Sequence, residues 1–287
     1  MTTLTTSAAP VSTSVPARAA GTGHGLTFAG ILRGEWIKLL SLRSIRWSIA
    51  TMLVISWAGA ALMSWAFSNT EYATAAVMPE LLVQSATFGS MFTVLVMGVL
   101  GVLSATSEYA SGLILSTLSA VPSRTPVLVA KAIVVGTLGL TIGALSTFGG
   151  ALLSGLFLGS DGFAALGESG VLLSLLGASL YLALAALIAL GLGALLRSSA
   201  GAISVVVVLF FVLTIVLQVL GMIGWDWVPA VSQWMPVDLG QTLSTSALTP
   251  ADQRGDVTYL GALGGLIAWA AAALVPAAVL LKTRDAV

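Results

Sequence analysis

Ser104–Lys131 reads SATSEYASGLILSTLSAVPSRTPVLVAK, and long apolar runs lie on both sides of it. Gly112 breaks the apolar run, and Leu113, Ile114, Thr117, Leu118 and Val121 then fall on one face of a short helix. Val121-Pro122 ends that helix, because the residue before a proline is pushed out of the helical region. Thr125 can cap the next helix, with Pro126 at its first position. The stretch therefore predicts a short helix pinned at both ends by turn chemistry and held between two membrane spans. Such an element can pass a push from a soluble partner into the spans, or it can be an inert connection. Spacing alone does not choose between them.

The chain around it has 287 residues, 57% hydrophobic and 8% charged, and a mean hydropathy of +1.05. A soluble domain carries about 25% charged residues, so this composition cannot cover a soluble surface and specifies an integral membrane protein. There is no cysteine, and the single His24 sits in a Ser/Thr/Ala-rich tail, which argues against disulfides, thiol chemistry and a metal site. Residues 1–26 are small and polar and cannot bury enough apolar area to order themselves; a disordered cytoplasmic tail is expected there. They lack the basic start and immediate apolar run of a signal peptide.

Phe28 to Ser44 is amphipathic. Phe28, Ile31, Leu32, Trp36, Leu39 and Leu40 share one helical face, while Arg33, Lys38 and Ser41 fall elsewhere on the wheel, followed by Arg43 and Arg46. The pattern predicts a helix lying in the inner interface, with Trp36, Lys38 and Arg43 as its anchors and its basic groups toward anionic headgroups. The plainer alternative is the basic flank of the first span. Six apolar stretches follow, at about 45–67, 81–106, 126–158, 171–196, 200–224 and 258–281, each meeting the requirement of about 20 apolar residues for a crossing. The third is longer than needed and is expected to tilt, to extend past the membrane or to break near Gly149-Gly150. Lys131 lies one turn into it, where a lysine can snorkel.

Lysines and arginines orient the spans. With the N-terminus inside, Arg18, Arg33, Lys38, Arg43, Arg46, Arg124, Lys131, Arg197, Lys282 and Arg284 are cytoplasmic, and of the 11 basic residues only Arg254 is outside. Glu71, Glu80, Asp161, Glu168, Asp226, Asp238, Asp252 and Asp256 fall outside. The expected architecture is thus all-α: six transmembrane helices preceded by an amphipathic interfacial helix, with both termini cytoplasmic. The outer loop Trp225–Asp256 holds Trp225, Trp227 and Trp234 with Pro229 and Pro236. It is either a segment lying at or dipping into the outer interface or an ordinary aromatic belt. Gly139/Gly143, Gly155/Gly159 and Gly261/Gly265 have the spacing that lets helices approach closely.

The missing chemistry is equally informative. Lys38, Lys131 and Lys282 follow Ile37, Ala130 and Leu281, so no Gly-Lys-Ser/Thr phosphate loop is present and ATP hydrolysis by that route is excluded. No span carries a central Asp, Glu, Arg or His, which speaks against an ion-coupled transporter. Gln218 is the most polar side chain deep in a span and reads as a helix–helix hydrogen bond. Apart from Lys131, one turn into the third span, no histidine or lysine sits in a span to activate a serine, so an intramembrane hydrolase is not expected. A transporter without an energy source of its own must borrow one.

Three places resemble the permease subunits of ATP-binding cassette exporters, the ABC-2-type membrane domains of the actinobacterial kind. The entry RGEWIKLLSLRS, Arg33–Ser44, looks like the family's interfacial elbow. Thr106-Ser107-Glu108-Tyr109, Gly112, Thr117 to Arg124 and Lys131 look like its coupling segment after the second span. Trp234-Met235-Pro236 with Gly240-Gln241 is similar to its outer segment between the last two spans. The resemblance covers nearly everything after residue 28 and implies a six-span permease domain over residues 27–287. It also implies a separately encoded ATPase subunit that carries ATP and Mg, no cofactor or metal on this chain, and a second permease copy or paralogue. By position it puts Glu108, Tyr109, Gly112, Thr117, Leu118, Pro122 and Arg124 at the motor interface. The family often has a basic residue where this chain has Ala110 and Leu115. The expected function is export of amphipathic or hydrophobic cargo (drug, antibiotic or lipid-like) across a bacterial cytoplasmic membrane, with no role for nucleic acid. The alternative is a non-transporting membrane anchor or sensor that docks a cytoplasmic ATPase or regulator.

Overall fold

The computed structural model describes residues 27–70, 74–110, 125–250, 252–253 and 255–283. The tail 1–26 lies outside these residues, as do Gly112, Thr117, Leu118, Pro122 and Arg124 of the coupling stretch. The described residues form helices and connecting turns. α1, Phe28–Ser41, starts at Thr27, whose hydroxyl accepts from the Gly30 N–H at 3.2 Å. An extended Leu42 separates it from α2, Arg43–Ser68, the first span. The second span, Met78–Tyr109, consists of α3, Met78–Thr87, and α4, Ser90–Ala110, joined through Phe88-Gly89. The third, fourth and fifth spans are α5, Thr125–Ala165, α6, Ser169–Leu196, and α7, Ser199–Met222. Two short helices, α8, Val228–Ser232, and α9, Pro236–Thr245, lead to α10, Tyr259–Thr283, the sixth. Six helices are thus long and apolar enough to cross a bilayer.

The fourth span is the hub. It is 67% buried, against 22% for the first and fifth, because its Gly, Ala and Ser residues let neighbours approach on every side. A Cβ on Gly101 would strike the Ala186 carbonyl, and one on Gly193 would come within 2.9 Å of the Val102 carbonyl, so the second and fourth helices cross with backbones in contact. Gly139 and Gly143, a pair legible from spacing alone, do the same for the third and fourth: added Cβ atoms would meet Ala183 Cα and Ser179 O at 2.9 Å. On the outside, Trp47, Val54, Leu62, Leu260 and Val275 are exposed, an apolar surface of the kind hydrocarbon solvates.

The third helix does not break at Gly149-Gly150. Those glycines are used for close approach, one under the Trp57 indole and the other against the Ala86 carbonyl. Trp57 also donates from Nε1 to the Leu145 carbonyl at 3.0 Å, clamping that turn. The helix breaks instead at Gly159, whose φ of 76° lies where a side chain would be strained. The fifth span is interrupted by a π-turn at Val208–Val212, which turns Phe210 inward, its ring centroid 6.5 Å from that of Tyr181.

The loop after the fifth span has two different halves. Trp225 and Trp227 are exposed with ring centroids 5.8 Å apart. α9, by contrast, packs into the bundle: Leu239 and Leu243 are fully buried, Gly240 rests on the Tyr181 ring, and Gly177 leaves room for the Leu243 backbone. The Trp269 indole donates to the Trp234 carbonyl at 2.9 Å and ties the loop to the sixth span.

Candidate functional site

The last turn of the second span leads into residues 111–124, and its side chains reach four neighbouring helices. Glu108 points inward. Its Oε1 accepts from Lys131 Nζ of α5 at 3.0 Å and from Lys38 Nζ of α1 at 3.0 Å. Glu35 of α1 completes the ring, with Oε1 on Lys38 at 2.8 Å and Oε2 on Lys131 at 2.6 Å. Each lysine thus bridges the same two carboxylates, and the formal charges cancel. Glu35, Glu108 and Lys131 have side chains only 4–8% exposed, while Lys38 is half exposed. Leu39, Ala105, Leu128 and Leu281 belong to the apolar cluster at this end of the bundle. In such surroundings each ion pair is worth keeping only because its hydrogen bonds are met.

The other faces of that turn hold the fourth and fifth spans. The Ser199 hydroxyl donates to Thr106 Oγ1 at 2.8 Å. The Arg197 guanidinium lies 5.3 Å from the Tyr109 ring centroid, a cation–π contact. Arg197 adopts φ 51° as the left-handed cap that ends α6, and this conformation turns the chain toward α7. Thr106, Glu108 and Tyr109 therefore bind four other helices to one turn of one helix.

Of the residues singled out in the sequence, Glu108, Tyr109 and Lys38 come together here. Trp36 and Arg43 remain exposed and take no part in the ring. Three expectations change. Lys131 does not snorkel; it is buried and doubly paired. Lys38, expected on a headgroup-facing surface, reaches back to two carboxylates. Ionisable side chains are buried within spans after all, at Glu108 and Lys131, although close to the span ends and mutually neutralised. Glu35 was missed. Its signal was present: an acid on a basic entry helix, sharing the face of Ile31, Leu32 and Leu39, with Lys38 one turn on. No family model and no curated protein matches the chain.

Proposed function

We propose that this chain is the transmembrane permease subunit of an ATP-binding cassette exporter, with the ion ring and both termini on the cytoplasmic side of a bacterial cell membrane. α1 lies in the inner interface. A separate ATPase carries ATP and Mg, and a second permease copy or paralogue completes the pathway for amphipathic or hydrophobic cargo. The observation that carries this reading is the linkage of four helices to Thr106, Glu108 and Tyr109, directly ahead of residues 111–124. An inert connection has no need of such an anchorage. A segment that receives a push does, because force applied there must move whole spans rather than fray one helix end. Lys131, on the far side of the same segment, is held by the same ring, so both ends of the segment share one base.

The test is purification of the tagged chain from its host in mild detergent. A stoichiometric ATPase bearing a phosphate-binding loop is expected, and Leu118→Asp should weaken its recovery while membrane insertion stays normal. Recovery of the chain alone, or with a regulator that is no ATPase, would favour the anchor or sensor.

A further inference from the structure

At the end of the bundle away from the ion ring, α3, α7 and α9 border a half-open cavity of about 800 Å³. Each helix turns a polar stripe toward it. Glu80 and Gln84 are one turn apart on α3, Gln218 lies on α7 beyond the π-turn, and Gln241 lies on α9. Gln84, Gln218 and Gln241 are exposed at the cavity surface, and their side-chain amides make no hydrogen bond within the chain among the described residues, which leaves them open to a ligand. Gln218 was expected to bond to a neighbouring helix, and it faces the cavity instead. The nearby hydroxyls of Ser244 and Thr245 are satisfied by their own helix, at 2.8 and 3.0 Å, so the amides supply most of the open hydrogen-bonding capacity on these three helices. Met91 and Phe211 supply apolar walls. Among the described lining residues Glu80 is the single formal charge, and it is exposed. The π-turn immediately precedes this wall of α7, and such turns concentrate at functional sites.

We infer that this cavity binds a small amphipathic cation bearing hydrogen-bonding groups such as amine N–H or carbonyl. Its charge pairs with Glu80, its polar groups meet the three glutamines, and its apolar body lies along Met91 and Phe211. The volume falls in the range of roughly 300–1,000 Å³ that holds drug-sized molecules. That this ligand is the exported cargo rests on the permease reading; that the cavity binds it does not.

The experiment uses the full chain in nanodiscs of neutral phosphatidylcholine and follows fluorescence anisotropy against empty discs. The probes are rhodamine 6G and fluorescein, which share a xanthene frame and carry opposite charge. Saturable binding of rhodamine 6G, none of fluorescein, and about tenfold weaker rhodamine binding to Glu80→Gln are expected, the loss of one charge-assisted contact. Met91→Trp, at an exposed position outside the packed core, should crowd the apolar wall of the cavity and weaken binding while the protein elutes as wild type. Equal binding of both dyes, no saturable rhodamine signal, or affinity unchanged by Glu80→Gln overturns the inference. The same preparations report on the ATPase separately. Dye binding without a co-purifying ATPase leaves the cavity a cation site and removes the word cargo, whereas an ATPase without dye binding leaves the permease reading and removes the site.

Discussion

Replacing Lys131 with methionine keeps most of its volume and removes one of the two positive charges in the ring. Lys38 can still compensate one carboxylate, but the other is left within a cluster whose Glu35 and Glu108 side chains are 4% and 7% exposed. Breaking a buried pair from one side costs about 3–5 kcal/mol. Proton uptake caps the penalty: at pH 7, protonating a glutamate of ordinary value near 4.3 costs about 3.7 kcal/mol, at 1.36 kcal/mol per unit. The same arithmetic gives about 1.6 kcal/mol at pH 5.5. The sign follows. In the variant the carboxylate binds its proton more tightly when folded than when unfolded, so stability is whole at low pH and is lost as pH rises. At about 2–4 °C per kcal/mol, Lys131→Met should melt roughly 7–15 °C below wild type at pH 7, with less than half that deficit at pH 5.5. Adding Glu108→Gln removes the orphaned charge, so the double variant should recover much of the loss instead of summing two. Thermal unfolding in detergent of all four proteins at both pH values is the assay. A single-variant deficit below about 1 kcal/mol, a deficit independent of pH, or additive losses would refute a closed ring.

Lys38 is held differently. Its partial burial works against the charge, but its hydrogen bonds to the Glu35 and Glu108 carboxylates and their negative charges outweigh that and lift it above the ordinary 10.5. Its stabilisation is therefore whole below pH 10.5 and is lost as pH climbs through the folded value. The stability gap between wild type and Lys38→Met should stay level from neutral pH to 10 and close above 10.5; it should be smaller than for Lys131→Met, because water reaches the half-exposed Lys38 side of the ring and can solvate the carboxylate left behind. Asp238 on α9 is pushed above its ordinary 3.8 by burial, against a smaller opposing backbone hydrogen bond. Its ionised form thus costs stability at neutral pH, and Asp238→Asn should raise Tm at pH 7, with the gain fading as pH falls toward 3.8. Gly143→Leu drives a side chain into the fourth span's backbone and should prevent recovery of monodisperse protein, whereas Gly136→Ala, whose Cβ meets only the Leu187 side chain at 3.5 Å, should elute as wild type.

The spans were legible because hydrocarbon imposes a length and a composition that hydropathy reads directly. The contact glycines of the third span were legible for a similar reason, since Gly139 and Gly143 recur at the spacing of one helix face. The break of that span was not. Gly149 and Gly159 look alike in sequence, and which one is used for packing and which for a positive φ depends on Trp57 arriving opposite the first. The ion ring was hidden by the rule that orients the spans. Counting Lys38 and Lys131 as cytoplasmic charges treats them as solvated, while pairing them requires knowing that α1 folds back against α5 and that Glu35 and Glu108, 73 positions apart in sequence, share the same two lysines. Glutamines facing a cavity and glutamines bonding a helix also look the same until three helices are set around one space.

The second span connects the two sites. At 1.5 Å per residue its 32 residues extend about 48 Å, against a hydrocarbon core of about 30 Å. The span is thus longer than the core, and Glu108, in its last turn, lies toward the core's edge and not at its middle. That position favours Glu108 as a mechanical tie at the membrane edge over a carrier of ions through its middle, since ion-coupling groups are needed where the barrier is highest. Glu80 and Gln84 occupy the opposite end of the same span, and Phe88-Gly89 separates α3 from α4 between them. Gly89 lies so close to Ser56 of the first span that even a methyl group there would collide. A tilt imposed on the Glu108 end thus has a defined pivot against a neighbouring helix, and the arm beyond the pivot carries the cavity's charged stripe.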